Sequence, residues 1–143
     1  MRSTANAVLC LLAILSVCIA TSPIAAANEQ VADVRIVIKN DGDESIRCIS
    51  IIAHFLTKKI GTLKKGEKLA IGYALHHDGS LSQGYYKGKA VYIENIRCGS
   101  VSNWTKTSSD IPLELLRSKQ TNNLFAYCSV VDRVRCLFED TLR

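Results

Sequence analysis

The feature that most constrains the fold of this chain is the position of its cysteines. They lie in segments in which apolar and polar residues alternate. Three of them end an apolar–Arg–Cys triplet, at Ile46-Arg47-Cys48, Ile96-Arg97-Cys98 and Val134-Arg135-Cys136. In a β-strand, side chains two positions apart lie on one face, and the residue between them lies on the other. We therefore expect each cysteine to face a core beside its apolar neighbour and each arginine to face water. The pattern is typical of half-buried strands.

The N-terminus has the three-part layout of a secretory signal. Residues 7–20 are almost wholly apolar, and Arg2 is the only charged residue before position 28. A proline and small residues follow, which predicts cleavage before Asn28. The apolar run is shorter than the ~20 residues of a membrane-spanning helix. We therefore predict a signal peptide at residues 1–27, one domain at 28–143, and a periplasmic or secreted protein without a membrane span after cleavage.

The cysteines of the predicted mature chain are expected to form disulfides. Two of the six cysteines lie in the leader, which leaves Cys48, Cys98, Cys128 and Cys136. An even number in an exported chain predicts bridges, and the C-x₂-C spacing of zinc sites is absent. A three-residue hairpin loop at 131–133 would place Cys128 opposite Cys136 at a suitable distance. We predict Cys48–Cys98 and Cys128–Cys136, while spacing alone leaves two other connectivities open.

The mature chain reads as a series of short strands separated by turns. Apolar and polar residues alternate within segments such as 33–39 and 69–75, and Gly, Asp, Asn and Lys cluster between them. This predicts an all-β fold, an antiparallel sandwich or barrel-like structure of about seven strands. One short helix is predicted near 110–118. There Asp110 is a candidate cap, and leucines at 113, 115 and 116 form an apolar face.

A basic stretch that contains two tyrosines is the candidate binding surface. The chain has 18 Lys and Arg against 13 Asp and Glu, a net charge of +5. The residues that we assign to the surface are Lys58, Lys59, Lys64, Lys65, Tyr85, Tyr86, Lys87 and Lys89. Basic residues beside exposed aromatic rings suit an anionic polymer or an acidic protein. Alternatively, these lysines only raise solubility and protect sheet edges from aggregation.

The two adjacent histidines, His76 and His77, are weaker candidates for a site. Paired histidines bind copper or zinc in some proteins. Neighbouring residues of an extended chain point to opposite faces, however, and no third ligand has a suitable spacing. We therefore expect both side chains to lie in solvent beside a turn, and we assign no metal or other cofactor.

The only tryptophan, Trp104, follows Cys98 closely, so we expect it to pack near that bridge rather than to form a sugar platform. Asn103-Trp104-Thr105 also fits the N-glycosylation sequon, which matters only in a eukaryotic host.

The sequence does not identify a function beyond that of a small exported all-β domain. The leading hypothesis is a non-enzymatic binding or accessory domain of the cell envelope, whose partner is a protein or an anionic envelope polymer and not a nucleic acid. A small hydrolase that uses His54 or His76 is the alternative from another class. Without a G-x-S-x-G motif, no catalytic residue is assigned. A structural component of the envelope is the third possibility.

Overall fold

The computed structural model describes residues 31–53 and 56–140, so the predicted signal peptide lies outside the described residues. The described chain forms ten strands and two short helices. The strands are β1 Ala32–Asn40, β2 Ile46–Ala53, β3 Leu56–Leu63, β4 Lys68–Leu75, β5 Leu81–Tyr86, β6 Lys89–Ile93, β7 Asn95–Ser100, β8 Ser109–Ile111, β9 Asn123–Val130 and β10 Val134–Asp140. The helices are α1 Trp104–Thr107 and α2 Glu114–Arg117, and neither is long and apolar enough to cross a membrane.

The strands form two sheets. A six-stranded sheet has the order β10-β9-β1-β4-β5-β6, and a four-stranded sheet has the order β3-β2-β7-β8. Neighbouring strands are antiparallel except β1 and β9, which are parallel. The described chain changes sheet four times: between β1 and β2, between β3 and β4, between β6 and β7, and between β8 and β9. Only Glu94 separates β6 from β7.

The predicted all-β class is confirmed, although the structure has more strands than the approximate count of seven. Strand β3 was not predicted, because consecutive Lys58 and Lys59 break its alternation and Ile60 forms a bulge opposite Cys48 and Ile49. Strand β8 has only 3 residues, too few to show the apolar–polar alternation of a strand. The mostly apolar residues 90–98 predict one strand, but they belong to two strands, β6 and β7, which Glu94 separates.

The core lies between the inner faces of the two sheets. On β1, the buried residues Val34, Ile36 and Ile38 alternate with residues that are exposed or half-buried. The same alternation buries Ile71, Tyr73 and Leu75 on β4. Burying an aliphatic side chain of this size contributes about 1.5–3 kcal/mol. The period-two pattern of the sequence therefore identified the inward faces correctly.

Both predicted disulfides are present. The pairing of β2 with β7 places Cys48 opposite Cys98, and the pairing of β9 with β10 places Cys128 opposite Cys136. The β9–β10 hairpin turns at residues 131–133, as predicted. Cys48, Cys98 and Cys128 are fully buried, whereas Cys136 is half-buried. Each bridge therefore joins two neighbouring strands of one sheet.

The three triplet arginines lie on the strand faces opposite to the cysteines, but only Arg135 lies in water as predicted. Arg47 is half-buried, because its guanidinium lies 4.6 Å from the centre of the Trp104 ring. Arg97 is half-buried beside Asp110 on β8, and its Nε lies 2.6 Å from a carboxylate oxygen of that residue. The prediction was wrong for these two residues because neighbouring segments cover this face of the four-stranded sheet.

Trp104 packs against Gly99, the residue after Cys98. A Cβ at Gly99 would lie 2.7 Å from a carbon of the indole ring, so the ring requires a glycine at this position. Trp104 was predicted to pack near the Cys98 bridge, but its ring lies on the outer face of the strand against Gly99 and Arg47, whereas the bridged cysteines face the core.

The predicted helix near 110–118 is confirmed only as the single turn α2, and Asp110 does not cap it. Residues 109–111 instead extend the four-stranded sheet, where Ile111 lies opposite Ile96 and both are buried. Burial of Ile111 and the ion pair of Asp110 with Arg97 stabilise the strand at this position. The expected apolar face is present, since Leu113 and Leu116 are buried.

Candidate functional site

The structure places the predicted binding residues in two groups. The β3 group, Lys58, Lys59, Lys64 and Lys65, lies on edge strand β3 and in the turn that follows it. The hairpin group, Tyr85, Tyr86, Lys87 and Lys89, lies on the hairpin of β5 and β6 at an edge of the six-stranded sheet. All eight residues are exposed. The sequence alone does not predict these two groups, because the order of strands within each sheet decides which residues lie at an edge.

Acidic residues partly neutralise the β3 group. Lys65 Nζ lies 2.6 Å from a carboxylate oxygen of Asp43, and both side chains are exposed. The hydrogen bond and the charge of each partner raise the pKa of Lys65 and lower the pKa of Asp43. The backbone N–H of Lys64 donates to the carboxylate of Glu67. The turn therefore carries a smaller positive charge than its lysines alone suggest.

The hairpin group is built on a tight two-residue turn. Tyr86 lies opposite Lys89, and the residues between them, Lys87 and Gly88, have φ angles of 49° and 76°. Positive φ at both positions defines the type I′ turn, which favours Asn, Asp or Gly at the first position. A lysine in this conformation costs on the order of 1–2 kcal/mol. Folding of the hairpin alone does not explain why lysine occupies the turn.

The hairpin group presents aromatic rings and unpaired cations together. Tyr85 and Tyr86 have relative exposures of 79% and 68%. Lys87 Nζ lies 5.5 Å from the centre of the Tyr86 ring. Over residues 31–53 and 56–140, no acidic side chain pairs with Lys87 or Lys89. This combination suits contact with an anionic surface that also offers apolar or planar groups.

A groove that the sequence analysis missed crosses the outer face of the six-stranded sheet. We call it the β1–β4 groove. It has a volume of about 710 Å³ and is lined mainly by side chains from β1, β4 and β9. Strand register places three rows side by side: Lys68–Lys39–Tyr127, Ala70–Val37–Phe125 and Gly72–Arg35–Asn123. The outward-facing residues of three strands that are distant in sequence meet there, so the groove can be found only from the strand pairing and not from the sequence.

Two of the groove's polar side chains are already engaged. Lys39 forms an ion pair with Asp41 at 2.7 Å, which raises the pKa of Lys39. The hydroxyl of Tyr127 donates to Glu139 at 2.8 Å, and the pKa of Tyr127 is raised mainly by this hydrogen bond. Arg35 and Lys68 have no acidic partner among the residues that the structure describes. They are the cations that the groove offers to a ligand.

His76 is buried, which corrects the prediction that it lies in solvent. Its Nε2 lies 2.8 Å from the hydroxyl of Ser82, and its ring lies 5.1 Å from that of Tyr92. Ser82 is buried as well, so a substrate has no direct access to this hydroxyl in the structure. His77 is exposed as predicted, whereas His54 lies outside the described residues.

Comparisons with protein-family models, with curated proteins and with solved structures found no match to this chain.

Proposed function

We propose that this chain is an exported, non-enzymatic binding domain that contacts an anionic polymer or an acidic protein of the cell envelope through the hairpin group. The observation that carries the proposal is the conformation of Lys87. Lys87 occupies a strained turn position that asparagine or glycine would occupy at lower energy, and it lies beside two exposed tyrosines. Strained residues of this kind occur at functional sites, where the side chain is needed for contact.

Export is the part of the proposal that sets the compartment. Two disulfides support it, because such bridges persist in oxidising compartments and are rare in the cytosol. The predicted leader at residues 1–27 supports it independently. Sequencing the N-terminus of the protein secreted by its host would test cleavage before Asn28.

The hairpin is tested by binding to defined probes. Poly-L-glutamate serves as the acidic polypeptide and heparin as the anionic polymer, and affinity is measured by calorimetry at several salt concentrations. The variant K87N/K89Q removes both charges, and asparagine suits the turn conformation at position 87. We expect it to bind at least one probe about tenfold more weakly than the wild type, because each exposed ion pair contributes up to about 1 kcal/mol. Binding by the wild type should also weaken as salt rises.

The matched control is K58Q/K59Q, which removes the same number of charges from β3. It should retain most of the binding, and thermal unfolding should show that both variants fold. An equal loss in the two variants would mean that only net charge matters. Unchanged binding by K87N/K89Q would refute the hairpin as the binding surface.

A hydrolase remains the second candidate, since Nε2 of His76 contacts the hydroxyl of Ser82. A serine beside a histidine is the arrangement of an activated nucleophile. Burial of Ser82 argues against this role, so we expect a fluorophosphonate probe to leave the folded protein unlabelled. Labelling that disappears in Ser82→Ala and in His76→Ala would instead establish the hydrolase. The role of a structural envelope component stays a prediction.

A further inference from the structure

The β1–β4 groove is longer than its main depression. A second depression of about 410 Å³ lies beside the first and shares Arg35 and Ala70 with it. The two together follow β4 from Lys68 to Gly72, which lies opposite Arg35. Because a strand rises about 3.3 Å per residue, Lys68 and Arg35 mark positions roughly 13 Å apart along the groove. A ligand that contacts both must therefore be extended.

Gly72 gives an independent reason to expect a ligand above the groove. A Cβ at this position would meet no atom within 4 Å, so packing within the described chain does not require a glycine. Its φ is not in the positive region either, since only Gly66, Gly79, Gly84 and Gly88 are. A glycine inside a strand nevertheless costs about 0.5–1 kcal/mol relative to alanine. Such glycines often mark a place where a ligand or another backbone approaches closely.

The charges along the groove define the chemistry of its occupant. Arg35 and Lys68 are exposed cations without acidic partners in the described part of the chain. The exposed amides of Asn122 and Asn123 lie beside Arg35, at the Gly72 end of the groove. Asp33 is the one acidic residue that lines either depression, and it lies at that same end. Anionic groups are therefore attracted to Arg35 and Lys68 and repelled by Asp33.

We propose that the β1–β4 groove binds an extended oligosaccharide whose carboxylate groups pair with Arg35 and Lys68 while the chain passes over Gly72. The site lies apart from the hairpin group, and the inference goes beyond the function proposed above. Arginine and lysine supply charge-assisted hydrogen bonds to carboxylates. The amides of Asn122 and Asn123 hydrogen-bond the hydroxyl groups of a neighbouring sugar.

A sugar chain fits this face better than an acidic peptide. An extended peptide gains much of its affinity from backbone pairing at a sheet edge. Strand β1 pairs with β4 on one side and with β9 on the other over Arg35–Lys39, so its backbone groups are engaged. The groove therefore offers side chains, together with the half-buried rings of Phe125 and Tyr127 along one wall. Cations, amides and rings are the groups that hold acidic sugars.

Gly72→Val is the decisive variant. Valine favours strands, and a Cβ at position 72 meets no atom within 4 Å, so the protein should fold at least as well as the wild type. The probe is oligogalacturonate, a chain of carboxylate-bearing sugars, and affinity is measured by calorimetry at physiological salt. We expect wild-type binding, and a loss of about tenfold or more in Gly72→Val and in R35Q/K68Q. Asp33→Asn should bind more tightly than the wild type, because it removes the one opposing charge.

The controls separate this site from the hairpin and from general charge effects. K58Q/K59Q removes two charges that lie outside both the hairpin group and the groove, so it should bind oligogalacturonate as the wild type does. Gly72→Val leaves the hairpin group intact and should bind poly-L-glutamate as the wild type does, so that failure of one proposal leaves the other standing. A neutral maltooligosaccharide of equal length should bind at least tenfold more weakly. Equal binding by Gly72→Val and the wild type, or no binding of oligogalacturonate by the wild type, would overturn the site. Binding of hexaglutamate peptide alone would overturn the assignment of its ligand to sugars.

Discussion

Tyr73 is a polar residue that bridges the core. Its hydroxyl lies 3.1 Å from that of Ser50, and both side chains are buried. Tyr73 belongs to the six-stranded sheet and Ser50 to the four-stranded sheet, so the hydrogen bond joins the two layers. Burial raises the pKa of Tyr73, and the hydrogen bond with Ser50 opposes this only in part. The residue therefore stays neutral when an exposed tyrosine has begun to ionise.

Stability at high pH should depend on Tyr73. Because its folded-state pKa is raised, its contribution is fully present below the unfolded pKa near 10 and is lost as pH rises through the folded value. One such group changes the free energy of unfolding by up to about 1.4 kcal/mol per pH unit. We expect denaturant unfolding of the wild type to show a steeper loss of stability above pH 10 than unfolding of Tyr73→Phe.

At neutral pH, Tyr73→Phe should cost about 1 kcal/mol, because it leaves the Ser50 hydroxyl without its partner. Tyr85→Phe is the control, since its ring is 79% exposed. If the wild type and Tyr73→Phe lost stability in parallel above pH 10, the buried hydroxyl would have no part in the alkaline transition.

At the scale of elements, the two disulfides act on different pairs of strands. Cys48–Cys98 joins β2 and β7, which are 50 residues apart at the bridge, whereas Cys128–Cys136 joins adjacent strands of one hairpin, 8 residues apart. Cross-linking restricts the unfolded chain more when the closed loop is longer. The buried Cys48–Cys98 bridge should therefore contribute more to stability, although both bridges join directly opposed residues.

The prediction is an unequal loss in the two double-alanine variants. The chain-entropy relation gives about 4 kcal/mol for the loop closed by Cys48–Cys98 and about 2.5 kcal/mol for that closed by Cys128–Cys136. Guanidinium unfolding of C48A/C98A and C128A/C136A, each with its remaining bridge oxidised, measures both values. A loss in C128A/C136A that equals or exceeds that in C48A/C98A would show that loop length does not govern the effect.

At the scale of the whole molecule, both proposed binding surfaces belong to the six-stranded sheet. The hairpin of β5 and β6 lies at its edge, and the β1–β4 groove lies on its outer face. The four-stranded sheet covers the inner face of that sheet and contributes fewer buried core residues than the six-stranded sheet does. Its own outer face is occupied by Trp104, Arg47 and the Arg97–Asp110 ion pair. We therefore propose that the six-stranded sheet makes the contacts and that the four-stranded sheet supports it.

The sequence by itself determined the features that depend on residues close together in the chain. Alternation at positions 34, 36 and 38 identified the buried face of β1, because neighbouring strand residues point to opposite sides. The loop at 131–133 identified the β9–β10 hairpin and its bridge, because turn length sets hairpin register.

Only the tertiary structure decided which distant segments meet. The β1–β4 groove needs Arg35 beside Asn123 in a parallel pair, and no local pattern encodes a contact across that length of chain. The residues that follow Asp110 predict that it caps a helix. In the structure Asp110 lies in strand β8, where the next residue, Ile111, is buried beside Ile96. The sequence around His76 predicts a solvent-exposed turn residue, but in the structure its side chain is buried against Ser82 and Tyr92. Local periodicity sets which face of a strand is apolar, whereas cross-strand packing selects the partner.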